Sequence, residues 1–203
     1  AEQFDEYIFE EYQDLFERIL QWAQHKNYDM KKLAYITMDS YYKQLAEMLR
    51  KKAREEPEKC KKIFKFFIQK FYKNLTDDSA DLKETVIAIK GYGAFAGPCR
   101  EFMEAQDLRL MFKIIIDICE RTFFINQQQQ NQQVDFQMMQ ATEIFDEKIY
   151  QLPSFIESLA YVCNQIDDNL PEGSVYTLEK LVLLAIDSYP KLIKRYNYQI
   201  SLA

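Results

Sequence analysis

The chain predicts an all-α fold: an irregular α-solenoid of HEAT- or armadillo-like antiparallel helix pairs. Three observations carry that expectation. Apolar residues recur at three- and four-residue steps through one segment after another. Four glycines and five prolines in 203 residues leave little turn material for a many-stranded architecture. The helical segments follow one another through short connections at roughly 40 to 50 residues per pair, without an exact internal repeat. Hydrophobic residues at 48% are enough to bury a core, and one unit over residues 1–203 is expected. A closed bundle is the less favoured arrangement.

Phe4 to Gln24 reads as one amphipathic helix, with Phe4, Ile8, Tyr12, Leu15, Phe16, Ile19, Leu20 and Ala23 on a shared face. Its other face is acidic, which suits a helix N-terminus. Trp22 is expected to pack, and His25 to cap the helix end or stand in solvent. Tyr28 to Arg54 follows, with Leu33, Ile36, Tyr41, Leu45, Met48 and Leu49 on the apolar side and Pro57 marking the break. Glu58 to Leu75 is the most regular: Ile63, Phe67, Phe71 and Leu75 form one row, with Phe64, Ile68 and Tyr72 beside it. Thr76 to Ser79 supplies turn and capping chemistry. Asp81 to Ala96 is the next helix, burying Leu82, Val86, Ile89, Gly93 and Ala96.

That helix runs into a glycine-rich end, Gly91-Tyr92-Gly93-Ala94-Phe95-Ala96-Gly97-Pro98. Gly97 suits a left-handed helix stop, and Pro98 cannot continue a helix. Gly91 and Gly93 each cost about 1 kcal/mol relative to alanine inside a helix. Close approach of another helix is the compensation expected, so Gly91, Gly93, Gly97 and Pro98 are read as a packing seam. The spacing is neither a dinucleotide fingerprint nor a Walker A loop, and no strand pattern precedes it.

Asp107 to Phe124 turns Leu108, Met111, Phe112, Ile115, Ile116 and Cys119 inward. Residues 126–134 hold a low-complexity glutamine/asparagine tract expected to be a loop, with partial helix from Val134 to Ile149. Leu152-Pro153 restarts a helix whose face carries Phe155, Leu159, Val162 and Ile166. After a loop at Asp167 to Ser174, Val175 to Tyr189 forms a last strong helix on Leu178, Leu181, Val182, Ala185 and Ile186. Pro190 is expected to break it, leaving Lys191 to Ala203 as a frayed or partner-dependent helix.

The charge pattern separates into blocks. Ala1 to Glu17 holds seven acidic residues and no basic one, whereas Lys43 to Lys73 holds eleven basic against four acidic residues. Within that block Arg50, Lys51, Lys52 and Arg54 precede the lysine face of the next helix, Lys59, Lys62, Lys65, Lys70 and Lys73. Together they form a candidate phosphate-backbone contact, set against the reading of an ordinary solvated face.

Catalytic chemistry finds no convergent set of residues. A single histidine removes most acid–base and zinc schemes, and the paired acids Glu55-Glu56, Asp77-Asp78 and Asp167-Asp168 sit where capping explains them. No kinase loop, His-Arg-Asp or Asp-Phe-Gly motif occurs. Cys60, Cys99, Cys119 and Cys163 are scattered, as expected of free thiols in a reducing compartment. No cofactor, metal or membrane span is expected.

Ile87 to Cys99 resembles a segment in the N-terminal helical-repeat region of the DNA-dependent protein kinase catalytic subunit family. Tyr150 to Leu159 and Val175 to Pro190 resemble it in the same order, and Phe66 to Tyr72 more faintly. The resemblance covers about Lys59 to Pro190, and the glutamine/asparagine tract departs from it. It implies a nuclear, non-catalytic scaffold segment of a large serine/threonine kinase acting in double-strand-break repair by non-homologous end joining. Implied partners are the Ku heterodimer, double-stranded DNA ends and neighbouring solenoid repeats, with the basic residues above facing the DNA backbone. The competing reading is a generic HEAT-type adaptor whose basic stretch grips an acidic partner.

Overall fold

A computed structural model describes residues 2–124, 148–166 and 170–201, so the glutamine/asparagine tract lies outside the described residues. Among the described residues the chain is an all-helical α-solenoid without strands. Its helices are α1 (Glu2–Glu10), α2 (Tyr12–Ala23), α3 (Tyr28–Lys52), α4 (Pro57–Leu75), α5 (Leu82–Ala96), α6 (Ala105–Phe123), α7 (Leu152–Cys163) and α8 (Ser174–Ser201). A 3-10 turn, Arg100–Phe102, lies between α5 and α6.

Local chemistry sets most of the starts. The Asn27 side chain accepts from the Asp29 and Met30 N–H groups at 2.9 and 3.2 Å, opening α3. Asp81 accepts from the Glu84 N–H at 2.8 Å, opening α5. Each such cap is worth about 1 kcal/mol. Pro57 and Pro153 stand in the first turns of α4 and α7, where the missing N–H costs nothing.

The helices stack in two layers. α3, α5 and α7 pack side by side, and α4, α6 and α8 form the other row. α2 joins that second row through Tyr12 and Phe16, whose rings meet Phe66 and Phe67 at 5.3 to 6.2 Å. The α3 segment around Tyr28–Ser40 lies beside the start of α5 and of α7, and Asp39–Glu47 beside their later turns. These three helices therefore run in the same direction. One contiguous apolar core extends from Ile8 to Leu181, with Tyr41, Tyr42, Phe67, Phe71 and Phe95 interlocked at its centre, most pairs edge to face and Phe67–Phe95 tilted at 39°.

Several expectations need correction, among them the apolar face of α8, where Val182 and Ile186 are 51% and 62% exposed. The first segment is two helices, not one: Glu11 leaves helical geometry at φ −102° and ψ 28°. The bend lets the adjacent residues Ile8 and Phe9 both be buried, which a single apolar row does not provide. Trp22 does not pack; it is 45% exposed, roughly 100° around the helix from Ala23. Leu33 and Ile36 lie in solvent because the buried row of α3 is Ala34, Met38, Tyr41, Leu45 and Leu49. Pro190 does not end the last helix, which continues to Ser201. Pro190 has no N–H to give the Ile186 carbonyl one turn back, and it lies on a helix stretch whose residues Ile186 and Tyr189 are each 62% exposed.

Candidate nucleic-acid interface

The basic residues expected to act together are separated by the fold into distinct environments. Lys52 and Lys59 are neutralised by α1. The Lys52 ammonium reaches Glu6 at 2.7 Å and Glu56 at 3.4 Å, and Lys59 pairs with Glu10. Both ammonium groups also stand over the buried Phe9 ring, 4.7 and 4.4 Å from its centroid. Hydrogen bonding to Glu6 holds Lys52 above its ordinary value. The acidic N-terminal block and part of the basic block, 46 and 49 residues apart, thus compensate each other.

Arg50 is tied to Glu47 at 2.9 Å, both exposed. Lys70 lies 5.3 Å from the Phe66 ring. The Lys51, Arg54, Lys62, Lys65 and Lys73 side chains are exposed and form no ion pair or hydrogen bond with any described residue. Lys62, Lys65 and Lys73 follow the outer stripe of α4, opposite Ile63, Phe67 and Phe71, over about 16 Å of helix. Lys51 and Arg54 stand where α3 leads into α4. This arrangement offers point charges to a polyanion, without the planar, convergent donors that would read bases.

Two glycines of this segment are pressed against neighbouring helices. A Cβ on Gly91 would fall 2.5 Å from Phe71 Cε1 and 2.9 Å from Tyr42 Cδ2. On Gly93 it would fall 3.1 Å from the Ser158 Cα of α7. Gly97 differs from expectation: it is right-handed, φ −78° and ψ −64°, and a Cβ there would meet only Gln165 Nε2 at 3.8 Å. The Cys99 N–H still reaches the Phe95 carbonyl at 2.9 Å, and the Arg100 N–H then reaches the Gly97 carbonyl at 3.1 Å, so the helix passes into the 3-10 turn without a left-handed stop. The left-handed glycine is Gly173, φ 81°, before α8.

Other candidates have structural duties. The His25 Nδ1 accepts the Asn27 N–H at 3.1 Å. Asp77 binds the Ser79 hydroxyl and N–H, which together lower its carboxyl, and Asp78 pairs with Arg121 at 2.7 Å. Cys60, Cys99 and Cys119 are free and buried, and burial pushes their thiols up. Among the described residues no group of three or more His, Cys, Asp or Glu could hold a metal ion. No described helix is long and apolar enough to cross a membrane.

Residues 1–202 match the family model described as DNA-PKcs, N-terminal. The DNA-dependent protein kinase catalytic subunit of Xenopus laevis is 34% identical over 191 residues, 94% of this chain and 4% of that protein. That of Canis lupus familiaris is 33% identical over the same shares, and that of Dictyostelium discoideum 28% identical over 80% of this chain. The likeness therefore extends through the first 55 residues, where the sequence blocks carry little of it. The chain spans about 4% of the length of these relatives.

Proposed function

Because the chain belongs to the family of N-terminal regions of the DNA-dependent protein kinase catalytic subunit, we propose that it is a non-catalytic scaffold segment of such a kinase. In that reading it works in the nucleus, in the repair of double-strand breaks by non-homologous end joining, and supports engagement of DNA ends and Ku. Stacked HEAT-like helix pairs hold a surface in place, and the kinase chemistry resides elsewhere in the longer protein. Neighbouring repeats of that protein cover the exposed apolar face of α8.

The observation that carries the DNA part is the stripe of Lys62, Lys65 and Lys73, exposed and without ion-pair partners among the described residues. The test is binding of a blunt 25-base-pair duplex to the 203-residue chain at two salt concentrations, with and without Ku. Wild type is expected to bind with a log–log salt slope of about −3, and K62E/K65E/K73E to weaken binding at least tenfold. Equal affinity in the folded triple variant, or no binding by folded wild type, overturns the DNA role and leaves a purely supporting segment.

A further inference from the structure

The layer formed by α3, α5 and α7 carries a second basic feature, on a different surface from the α4 stripe. The first turns of α3 and α5 enclose an open trough of about 480 Å³, bordered at one end by Gln151 and Ser154. Lys31 and Lys32 line it from α3, and their ammonium groups form no ion pair or hydrogen bond with any described residue. Lys83 lines it from α5, its ammonium 5.9 Å from the Tyr28 ring. Tyr28 and Ile36 are on its walls, and Ile36 is 57% exposed.

The trough also contains acid. Asp39 spans its lower end, one carboxylate oxygen reaching Lys43 at 3.2 Å and Lys90 at 3.3 Å. The other oxygen, Oδ1, is buried without a hydrogen-bond partner. Asp81 caps α5 at the opposite wall, and it and Glu84 add to the burial that raises the Tyr35 hydroxyl. Lysine charges therefore stand among carboxylates and exposed apolar surface.

That mixture selects between polyanions. A phosphate backbone would meet Lys31, Lys32 and Lys83 but would gain nothing from Ile36 or the Tyr28 face. A peptide alternates its chemistry. Its carboxylates match Lys31, Lys32 and Lys83, and an apolar side chain covers Ile36 and Tyr28. We propose that the α3–α5 trough is a docking site for an acidic peptide segment of another protein, anchored by one aromatic or aliphatic side chain.

The test is selection of a random 16-residue peptide library on the folded 203-residue chain, followed by fluorescence polarisation with the enriched peptides. Enriched peptides are expected to combine several Asp or Glu with an aromatic or aliphatic residue. Their affinity should fall at least tenfold for K31E/K32E/K83E and at least threefold for Ile36→Ser, both variants retaining the helical circular dichroism and melting of wild type. All four positions are on the surface of the trough, and any variant that fails to fold is replaced by the neutral K31Q/K32Q/K83Q, for which the same tenfold loss is expected. Enriched peptides without acidic character, no enrichment, or equal affinity for the folded charge variant overturns the proposal. A blunt duplex that loses affinity in K31E/K32E/K83E but not in Ile36→Ser, with no peptide effect, assigns the trough to nucleic acid instead.

Discussion

At the residue scale, the three glycines read together as a packing seam are unequal. Alanine is the better helix former by about 1 kcal/mol at each position. At Gly91 the added methyl meets Phe71 and Tyr42, rings locked against Phe67 and Phe95 that cannot swing aside. Overpacking of this kind costs about 1 to 3 kcal/mol, so Gly91→Ala should lower stability on balance. Gly97 is helical and opens onto space, so Gly97→Ala should raise stability by up to about 1 kcal/mol. Urea denaturation of the two variants measures both signs; equal shifts in one direction contradict the packing account. The distinction depends on which glycine faces a helix, and spacing along one chain does not record that.

At the element scale, α1 determines how much positive charge the molecule shows. Its acidic residues read in sequence as suitable for a helix start, and Lys52 and Lys59 as phosphate contacts. The bend at Glu11 brings the two sets together over Phe9. Glu6 and Glu10 are the exposed partners of these pairs, and Glu56 still reaches Lys52 and Lys59 at 3.4 and 3.8 Å without them, so E6Q/E10Q should leave the fold intact. It should instead release two cations, raising duplex affinity severalfold and steepening the salt slope by up to about 2. Duplex titrations at two salt concentrations decide this, and an unchanged slope means that α1 does not shield the basic surface.

At the scale of the whole molecule, the solenoid leaves one face uncovered. Val175, Val182, Ile186, Tyr189 and Ile193 recur on one side of α8, and Ile186 is 62% exposed. Large contiguous apolar faces mark interaction surfaces and drive association when left bare. The chain by itself should therefore self-associate with rising concentration in sedimentation equilibrium. V182E/I186E should remain monomeric with stability changed by about 0.5 kcal/mol or less, because both side chains already face solvent. A wild type that stays monomeric at high concentration removes the case for a covering repeat.

The sequence by itself determined the fold class, the buried row Ile63, Phe67, Phe71 and Leu75 of α4, and most of the inward residues of α6; on α5 its spacing marked Val86, Ile89, Gly93 and Ala96 but passed over Ala88, Tyr92 and Phe95. These are local matters: periodicity, capping oxygens and proline positions act within a few residues of themselves. Three ordered blocks were also enough to place the chain near its family. Only the tertiary structure decided which of several apolar positions became core, since Trp22, Leu33 and Ile36 satisfy hydrophobicity but fall off the contact rows that neighbouring helices impose. It likewise decided which lysines remain free, because Glu6 and Glu10 reach Lys52 and Lys59 through a bend that no proline or glycine announces. The trough between α3 and α5 belongs to the same class of fact. It joins residues about 50 positions apart by packing, and charge and shape across helices exist only once the helices have met.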